Sequence, residues 1–265
     1  MHGSRRTFLT LTPALGLLAL PRVLDAAEPS PAPSVDEVFP TQPADLVREM
    51  VGVSHGNLAR VKELVSRRPS LAKATWDWGF GDWESAIDAA SHVGNREIAE
   101  VLLQNGARPT IFTAAMLGQL AVVKALVAAS PGIQRTTGPH SLTLLHHAKA
   151  GGAPAAEVAT FLESLGDADP KPVEPPLEAE QLAMLSGTYV FGAGPNDRVD
   201  IKADDKGRLG FQRAGGSRRN LVHVGSYAFF PVGAPAVRIR FEVASGKSVS
   251  LSVHDPDVVL QARRP

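Results

Sequence analysis

Four turn glycines, each followed by a short amphipathic segment, constrain the fold of this chain more than any other feature of its sequence. These glycines are Gly56, Gly94, Gly118 and Gly152. Their successive spacings are 38, 24 and 34 residues. After Gly94, the apolar residues Ile98, Val101 and Leu102 recur at i, i+3 and i+4, which places them on one face of a helix. Because a single helical repeat cannot bury its own apolar face, the sequence predicts several helix pairs that stack on one another.

Two segments follow a repeat pattern more closely. Residues 85–107 carry the matching positions Ser85, Ile87, Ala89, Ala90 and Gly94. Residues 143–148 read Thr-Leu-Leu-His-His-Ala. Both resemble the Thr-Pro-Leu-His-x-Ala box of the ankyrin-repeat family. The resemblance covers residues 43–166 and implies an ankyrin-repeat α-solenoid of about four repeats, a fold that binds proteins through its hairpin tips and concave face.

The long step between the first two turn glycines predicts an enlarged hairpin at residues 76–84. This hairpin holds all three tryptophans of the chain. Tryptophan is enriched at binding hot spots, and the acidic side chains between the rings favour a basic partner. The candidate partner-binding residues are Trp76, Asp77, Trp78, Phe80, Asp82 and Trp83. The alternative is that these rings fold back and pack on the second repeat.

The N-terminus has the pattern of a targeting segment. It reads Ser-Arg-Arg-Thr-Phe-Leu at residues 4–9, followed by an apolar stretch of about a dozen residues, too short to span a membrane. The motif resembles the twin-arginine export signal, and an ordinary secretory signal is the alternative. We assign residues 1–27 to the signal and expect a periplasmic or secreted protein, exported by the twin-arginine route, with no stable membrane span after cleavage.

Two proline-rich linkers separate the predicted repeats from their surroundings, at residues 28–42 and 167–181. Residues 182–265 then alternate apolar and polar positions, which indicates β-strands. The eight predicted strands are 187–191, 199–202, 209–212, 220–223, 227–230, 237–243, 248–253 and 258–262. These strands predict a small antiparallel β-barrel or half-barrel. Together with the predicted helical repeats, they make the whole chain an α+β multidomain protein. The opening Ser-Gly-Thr-Tyr at residues 186–189 and the closing Gln-Ala-Arg-Arg at residues 261–264 loosely resemble the β-domain appended to serine β-lactamase-like proteins. This resemblance implies an accessory role.

Composition and motifs exclude several function classes. The formal net charge is zero, so nothing global favours nucleic acid, and the absence of cysteine removes disulfides and thiolate metal sites. Motifs for serine nucleophiles, phosphate loops and zinc peptidases are missing. His146 and His147, with His140 nearby, suggest a metal site at first, but neighbouring residues on a helix diverge by about 100° and do not face a common ligand. His55 and His92 are interpreted as structural or exposed residues at helix ends or turns. We therefore expect no catalytic residues, no cofactor and no metal.

These observations favour an exported, non-catalytic ankyrin-repeat protein that mediates protein–protein interaction, with a partner of unknown identity and basic character. The first alternative is binding of a small ligand or lipid by the C-terminal β-domain. The second is an enzyme with an unrecognised site.

Overall fold

The structure is a computed structural model that describes residues 38–255 and 258–265 of the protein. The predicted export signal and most of the first linker therefore lie outside the described residues. Pro40–Pro265 form one compact unit, in which a helical part precedes a β-barrel. Among the described residues, no helix is both long and apolar enough to cross a membrane.

The helical part is built from short helices with side-chain caps. Over the described ranges there are nine α-helices, α1–α9, of six to ten residues. They are Ala44–Val53, Leu58–Arg67, Ala86–His92, Arg96–Gln104, Ile111–Met116, Leu120–Ala129, Leu144–Ala150, Ala156–Ser164 and Ala179–Leu185. Five of these helices are preceded by a capping residue. The side chain of that residue accepts a hydrogen bond from a backbone N–H of the first turn, which satisfies an otherwise unpaired donor. The capping residues are Asn57, Ser85, Asn95, Thr110 and Thr143.

The predicted ankyrin-repeat α-solenoid is wrong. The helices are short and scattered, and they are joined by unequal segments that include 3₁₀ turns at Pro69–Lys73, Ile133–Arg135 and Pro139–Ser141. Their buried residues form two separate clusters. A solenoid needs the same step from each repeat to the next, and the unequal glycine spacings do not provide it. Gly94 does lie in a turn, as its place among the turn glycines predicts: its φ is +75°, and a Cβ there would collide with the carbonyl oxygen of Ala150.

The predicted antiparallel β-barrel is confirmed. Eight strands, β3–β10, close into a barrel in the order β10-β3-β4-β5-β6-β7-β8-β9, with antiparallel neighbours throughout. Their bounds are Gly187–Val190, Arg198–Ala203, Leu209–Arg213, Arg219–Gly225, Ala228–Pro231, Arg238–Ala244, Lys247–Asp255 and Val258–Arg263. Each overlaps a predicted strand, because period-2 alternation reports which residues face the interior.

Aromatic side chains fill the barrel. The Phe241 ring packs edge to face against both Tyr189 and Phe229, with centroid distances of 5.7 and 5.5 Å. The Tyr189 hydroxyl hydrogen-bonds with the carbonyl of Leu185 over 2.8 Å, which satisfies the one polar atom of this ring inside the barrel. A barrel of this size is usually filled by its own side chains.

A two-stranded hairpin links the helical part to the barrel. Its strands are β1, Thr75–Asp77, and β2, Trp83–Ser85. At its tip the Phe80 ring meets the Phe211 ring of β5 at a centroid distance of 5.4 Å, and Asp82 pairs with Arg219 at the start of β6. The hairpin is therefore fixed against the barrel, and the side chains that follow its tip are held in place.

Candidate metal centre

Four side chains from separate elements converge beside this hairpin. His55 lies in the turn after α1, Glu84 is the middle residue of β2, His92 ends α3, and His140 lies in the 3₁₀ turn Pro139–Ser141. One donor atom from each, three imidazole nitrogens and a carboxylate oxygen, lies within 4.8 Å of all the others. Such a set of nitrogen and oxygen donors fits a first-row divalent metal ion.

The distances within the cluster match metal coordination better than hydrogen bonding. Glu84 Oε1 lies 3.6 Å from His55 Nε2, 3.6 Å from His92 Nε2 and 3.4 Å from His140 Nε2. A hydrogen bond between such atoms spans about 2.7–3.2 Å. Two ligands at 2.0–2.1 Å from a tetrahedral zinc ion lie roughly 3.3–3.4 Å apart. The carboxylate oxygen therefore sits at ligand spacing from all three nitrogens.

Outer hydrogen bonds orient the ligand atoms. His140 Nδ1 donates to Asp82 Oδ2 over 2.7 Å, and His55 Nδ1 donates to the Gly52 carbonyl over 3.0 Å. With Nδ1 protonated, each ring directs the lone pair of Nε2 at the cluster. Trp78 Nε1 donates to Glu84 Oε2 over 2.7 Å, which leaves Oε1 to face the histidines. Carboxylate, carbonyl and indole partners of this kind are the usual second shell of a metal site.

Two of the four donor atoms are buried without a hydrogen-bond partner. They are Glu84 Oε1 and His92 Nε2. Glu84 is 0 % exposed and His92 is 8 % exposed. A buried polar atom without a partner is destabilising by roughly 1–3 kcal/mol, and a single ion at the centre of the cluster would satisfy both.

The side chains strongly perturb each other's protonation. Burial raises the pKa of Glu84, but His140 and His55 outweigh burial and lower it to about 2. Burial lowers the pKa of His140, but Asp82 and Glu84 raise it to about 9. Glu84 also raises the pKa of His55, whereas burial lowers the pKa of His92 to about 4. Perturbed pKa values concentrate at functional sites.

The loop that carries His140 has an unusual backbone. His140 and the next residue, Ser141, have φ of +59° and +57°, in the left-handed region that favours glycine. The conformation is held by two hydrogen bonds: the His140 N–H donates to Asp82 Oδ1 over 2.9 Å, and Ser141 Oγ accepts from the Gly233 N–H over 2.8 Å. Strained residues of this kind cluster at functional sites.

A cavity of about 350 Å³ adjoins the cluster. Its walls come from the helical part, the hairpin and the barrel. The lining residues are His55, Trp78, His140, Ser217, Arg218, Arg219, Asn220 and Val232. Two of the four candidate ligands thus line the cavity together with residues of the barrel.

The six predicted partner-binding residues differ in burial: five are buried or half-buried in packing or hydrogen bonds, and one is exposed. Trp76 and Trp78 pack against the core of the helical part, and Phe80 packs against that of the barrel. Asp82 is buried in the second shell of the cluster. Asp77 is half-buried, and its Oδ1 accepts from the Gly79 N–H over 2.7 Å. Trp83 is exposed, at 61 %.

The cluster was not predicted from the sequence. The sequence places His140 near His146 and His147, but His146 Nε2 hydrogen-bonds with the His92 carbonyl, and His147 Nδ1 bonds back to the Thr143 carbonyl within its own helix. A usable signal was the position of the other two histidines. His55 directly precedes Gly56, and His92 lies two residues before Gly94, so both occupy corresponding turns, and their ring centroids are 4.9 Å apart.

Comparison of the chain with models of known protein families found no match, and comparison with curated proteins found none.

Proposed function

We propose that this protein binds a divalent transition-metal ion, with Zn²⁺ as the first candidate, through His55, Glu84, His92 and His140. The observation that carries the proposal is the convergence of three histidine Nε2 atoms on Glu84 Oε1, each 3.4–3.6 Å from that oxygen, with two of the four donor atoms buried and without another partner. The ordered second shell supports it, because Asp82, Trp78 and the Gly52 carbonyl each fix one ligand.

The donor set narrows the choice of metal. Ca²⁺ and Mg²⁺ take oxygen ligands, and Cu⁺ prefers thiolate or thioether sulfur. Three imidazoles and one carboxylate suit Zn²⁺, and also Fe²⁺, Ni²⁺, Co²⁺ and Cu²⁺. Affinity in the divalent series rises toward Cu²⁺, so the ion bound in the cell also reflects which metal is available where the site is loaded.

The test is metal content and affinity of the full-length chain. After incubation with Zn²⁺ and dialysis, elemental analysis is expected to find one ion per chain. Glu84→Gln keeps the shape of the side chain and an oxygen that accepts from Trp78 Nε1, but removes the negative charge. His92→Ala removes one of the three nitrogen ligands. Each is expected to weaken Zn²⁺ binding by roughly a hundredfold or more, measured by competition with a chromophoric chelator.

The matched control is His254→Ala, because His254 lies on β9 and contacts Ser252 rather than the cluster. It is expected to retain full stoichiometry and affinity. Wild-type protein that retains no Zn²⁺, Co²⁺, Ni²⁺ or Cu²⁺, or binding that His254→Ala reduces as much as Glu84→Gln does, would overturn the proposal.

Export by the twin-arginine route fits this function. The motif at residues 4–9 supports it, because that route carries folded proteins and a metal could be loaded before translocation. We propose a periplasmic or secreted location on this ground. Replacing Arg5 and Arg6 together by lysine should leave the protein in the cytoplasm, as fractionation and immunoblotting would show.

A second candidate function is binding of a protein partner at the hairpin. The observation that favours it is the exposed Trp83 ring, since exposed tryptophans are enriched at hot spots. A cross-linked partner from periplasmic extract should be lost with Trp83→Ala and retained with Val224→Ala, which removes exposed apolar surface from β6 instead. Retention of the partner by Trp83→Ala would exclude this role for the hairpin.

A further inference from the structure

We propose that the cavity beside the metal centre binds a small oxyanion, a phosphate or carboxylate group, one oxygen of which coordinates the metal ion. This inference rests on the proposed metal site. It assigns to the barrel wall the role of holding a ligand against that ion.

The arrangement of the four metal ligands leaves one side open to the cavity. Glu84 and His92 are buried, whereas His55 and His140 form part of the cavity wall. A zinc ion bound by four protein atoms can expand to five-coordinate, and the other candidate metals accept five or six ligands. The cavity therefore offers an additional ligand a route to the ion on the side of His55 and His140.

The charge of the cavity favours an anion. Its described lining residues include two arginines and no carboxylate. Arg219 is balanced by Asp82, whereas Arg218 forms no ion pair among the described residues. Its guanidinium packs over Gly210 and donates to the backbone carbonyls of Lys202 and Arg208, at 3.1 and 3.0 Å. A divalent ion next to the single negative charge of Glu84 adds a further positive charge. The loaded site is therefore net positive, with Arg218 uncompensated.

Hydrogen-bond donors without partners line the same wall. Within the described ranges, the Ser217 hydroxyl and the Asn220 side-chain amide make no hydrogen bond to the protein, while both line the cavity. Arg218 Nη2 donates to the Lys202 and Arg208 carbonyls, which leaves the donors of Nη1 and Nε for a carboxylate or phosphate oxygen. A hydroxyl, an amide and a guanidinium that line the same cavity as two of the candidate metal ligands form a complementary set for a small oxyanion. The volume of about 350 Å³ is sufficient for a small molecule that carries such a group.

The experiment uses the full-length protein loaded with Co²⁺, whose visible absorption reports a change of coordination. Inorganic phosphate and succinate are the two probes, and their relative affinities distinguish a phosphate from a carboxylate ligand. We expect at least one probe to bind saturably, with a change in the Co²⁺ bands. Arg218→Gln is expected to raise the dissociation constant tenfold or more while leaving metal affinity unchanged, because Arg218 contacts none of the metal ligands.

Arg240→Gln is the control, since Arg240 is an exposed arginine of β8 outside the cavity. It is expected to bind the probe as the wild type does. Metal binding without any response to either probe would overturn this inference and leave the metal site standing. Equal binding by Arg218→Gln, or by metal-free protein, would also overturn it. Failure to bind Co²⁺ would overturn the proposed function and this inference together.

Discussion

Single side chains around Glu84 determine the charge and geometry of the proposed metal centre. Asp82 accepts hydrogen bonds from both the backbone and the ring of His140 and pairs with Arg219. Burial raises the pKa of Asp82, but His140 and Arg219 lower it, so this carboxylate stays charged where it orients the ring. Second-shell carboxylates of this kind typically contribute a factor of about 10–100 to metal affinity.

Metal affinity should increase with pH in the neutral range. His140 has a pKa of about 9 in the metal-free protein, because Asp82 and Glu84 outweigh the effect of burial. The protonated ring cannot bind a metal ion, so at pH 7 the ion must displace a proton. Zinc affinity is therefore expected to rise by about tenfold or more per pH unit from pH 7, because the raised pKa of His55 adds a second proton at the lower end, and to level off above pH 9. Chelator competition between pH 6.5 and 8.5 measures this slope.

The Asp82→Asn variant provides the contrast for this measurement. It removes a charge that raises the pKa of His140, so the slope between pH 7 and 8.5 should become shallower, while affinity at high pH falls roughly 10–100-fold. A pH-independent affinity in the wild type, or the same slope in the variant, would contradict the role given to His140.

At the scale of elements, the hairpin separates two surfaces by strand alternation. Side chains of neighbouring residues in a strand point to opposite faces, so Glu84 is buried in the cluster while Trp83 projects into solvent. The tip requires three consecutive positive φ values, at Gly79, Phe80 and Gly81. This turn carries Phe80 onto the barrel and brings Asp82 back beside His140.

Alanine in place of two glycines should change stability in opposite directions. Gly81 has φ of +76° and open space where a Cβ would lie, so Gly81→Ala adds backbone strain alone and should destabilise by about 1 kcal/mol. Gly52 lies within α1, and a Cβ there also meets nothing within 4 Å. Gly52→Ala should therefore stabilise by about 0.5–1 kcal/mol. Urea denaturation of the two variants measures both effects, and equal shifts would contradict the assigned conformations.

Individual strands and helices were predictable from the sequence where the local spacing of apolar residues determines them. The alternation around Ile201 and Ile239 marked barrel strands, and the spacing of Ile98 and Leu102 marked α4. The arrangement of the helices was not predictable, because it depends on how unequal connectors pack. The four candidate metal ligands are separated by 29, 8 and 48 residues along the chain, so no short motif contains them.

At the scale of the whole molecule, the second shell of the metal centre is also the junction between the helices and the barrel. Asp82 and Ser141 from the helical side contact Arg219 and Gly233 from the barrel side. The hydrogen bonds that orient His140 are therefore continuous with those that join the two parts. Metal binding should stabilise the unit as a whole, by about 2.7 kcal/mol at a free-ion concentration 100 times the dissociation constant.

Arg219→Gln should weaken this junction. Arg219 is largely buried against Asp82, and removing one partner of a buried ion pair leaves the other charge poorly compensated. We expect a loss of about 2 kcal/mol or more in the free energy of unfolding, measured by calorimetry and circular dichroism. Arg240→Gln, at an exposed position, should change it by less than about 0.5 kcal/mol. A stability equal to that of the control would show that the pair does not hold the two parts together.

The position of the three tryptophans has a practical consequence. All of them lie between residues 76 and 83, and the Trp78 indole donates directly to the ligand Glu84. The intrinsic fluorescence of the chain therefore originates almost entirely beside the proposed ion. A quenching ion such as Cu²⁺ should lower the tryptophan fluorescence as it binds. The occupancy of the site can then be followed in real time in the unlabelled protein.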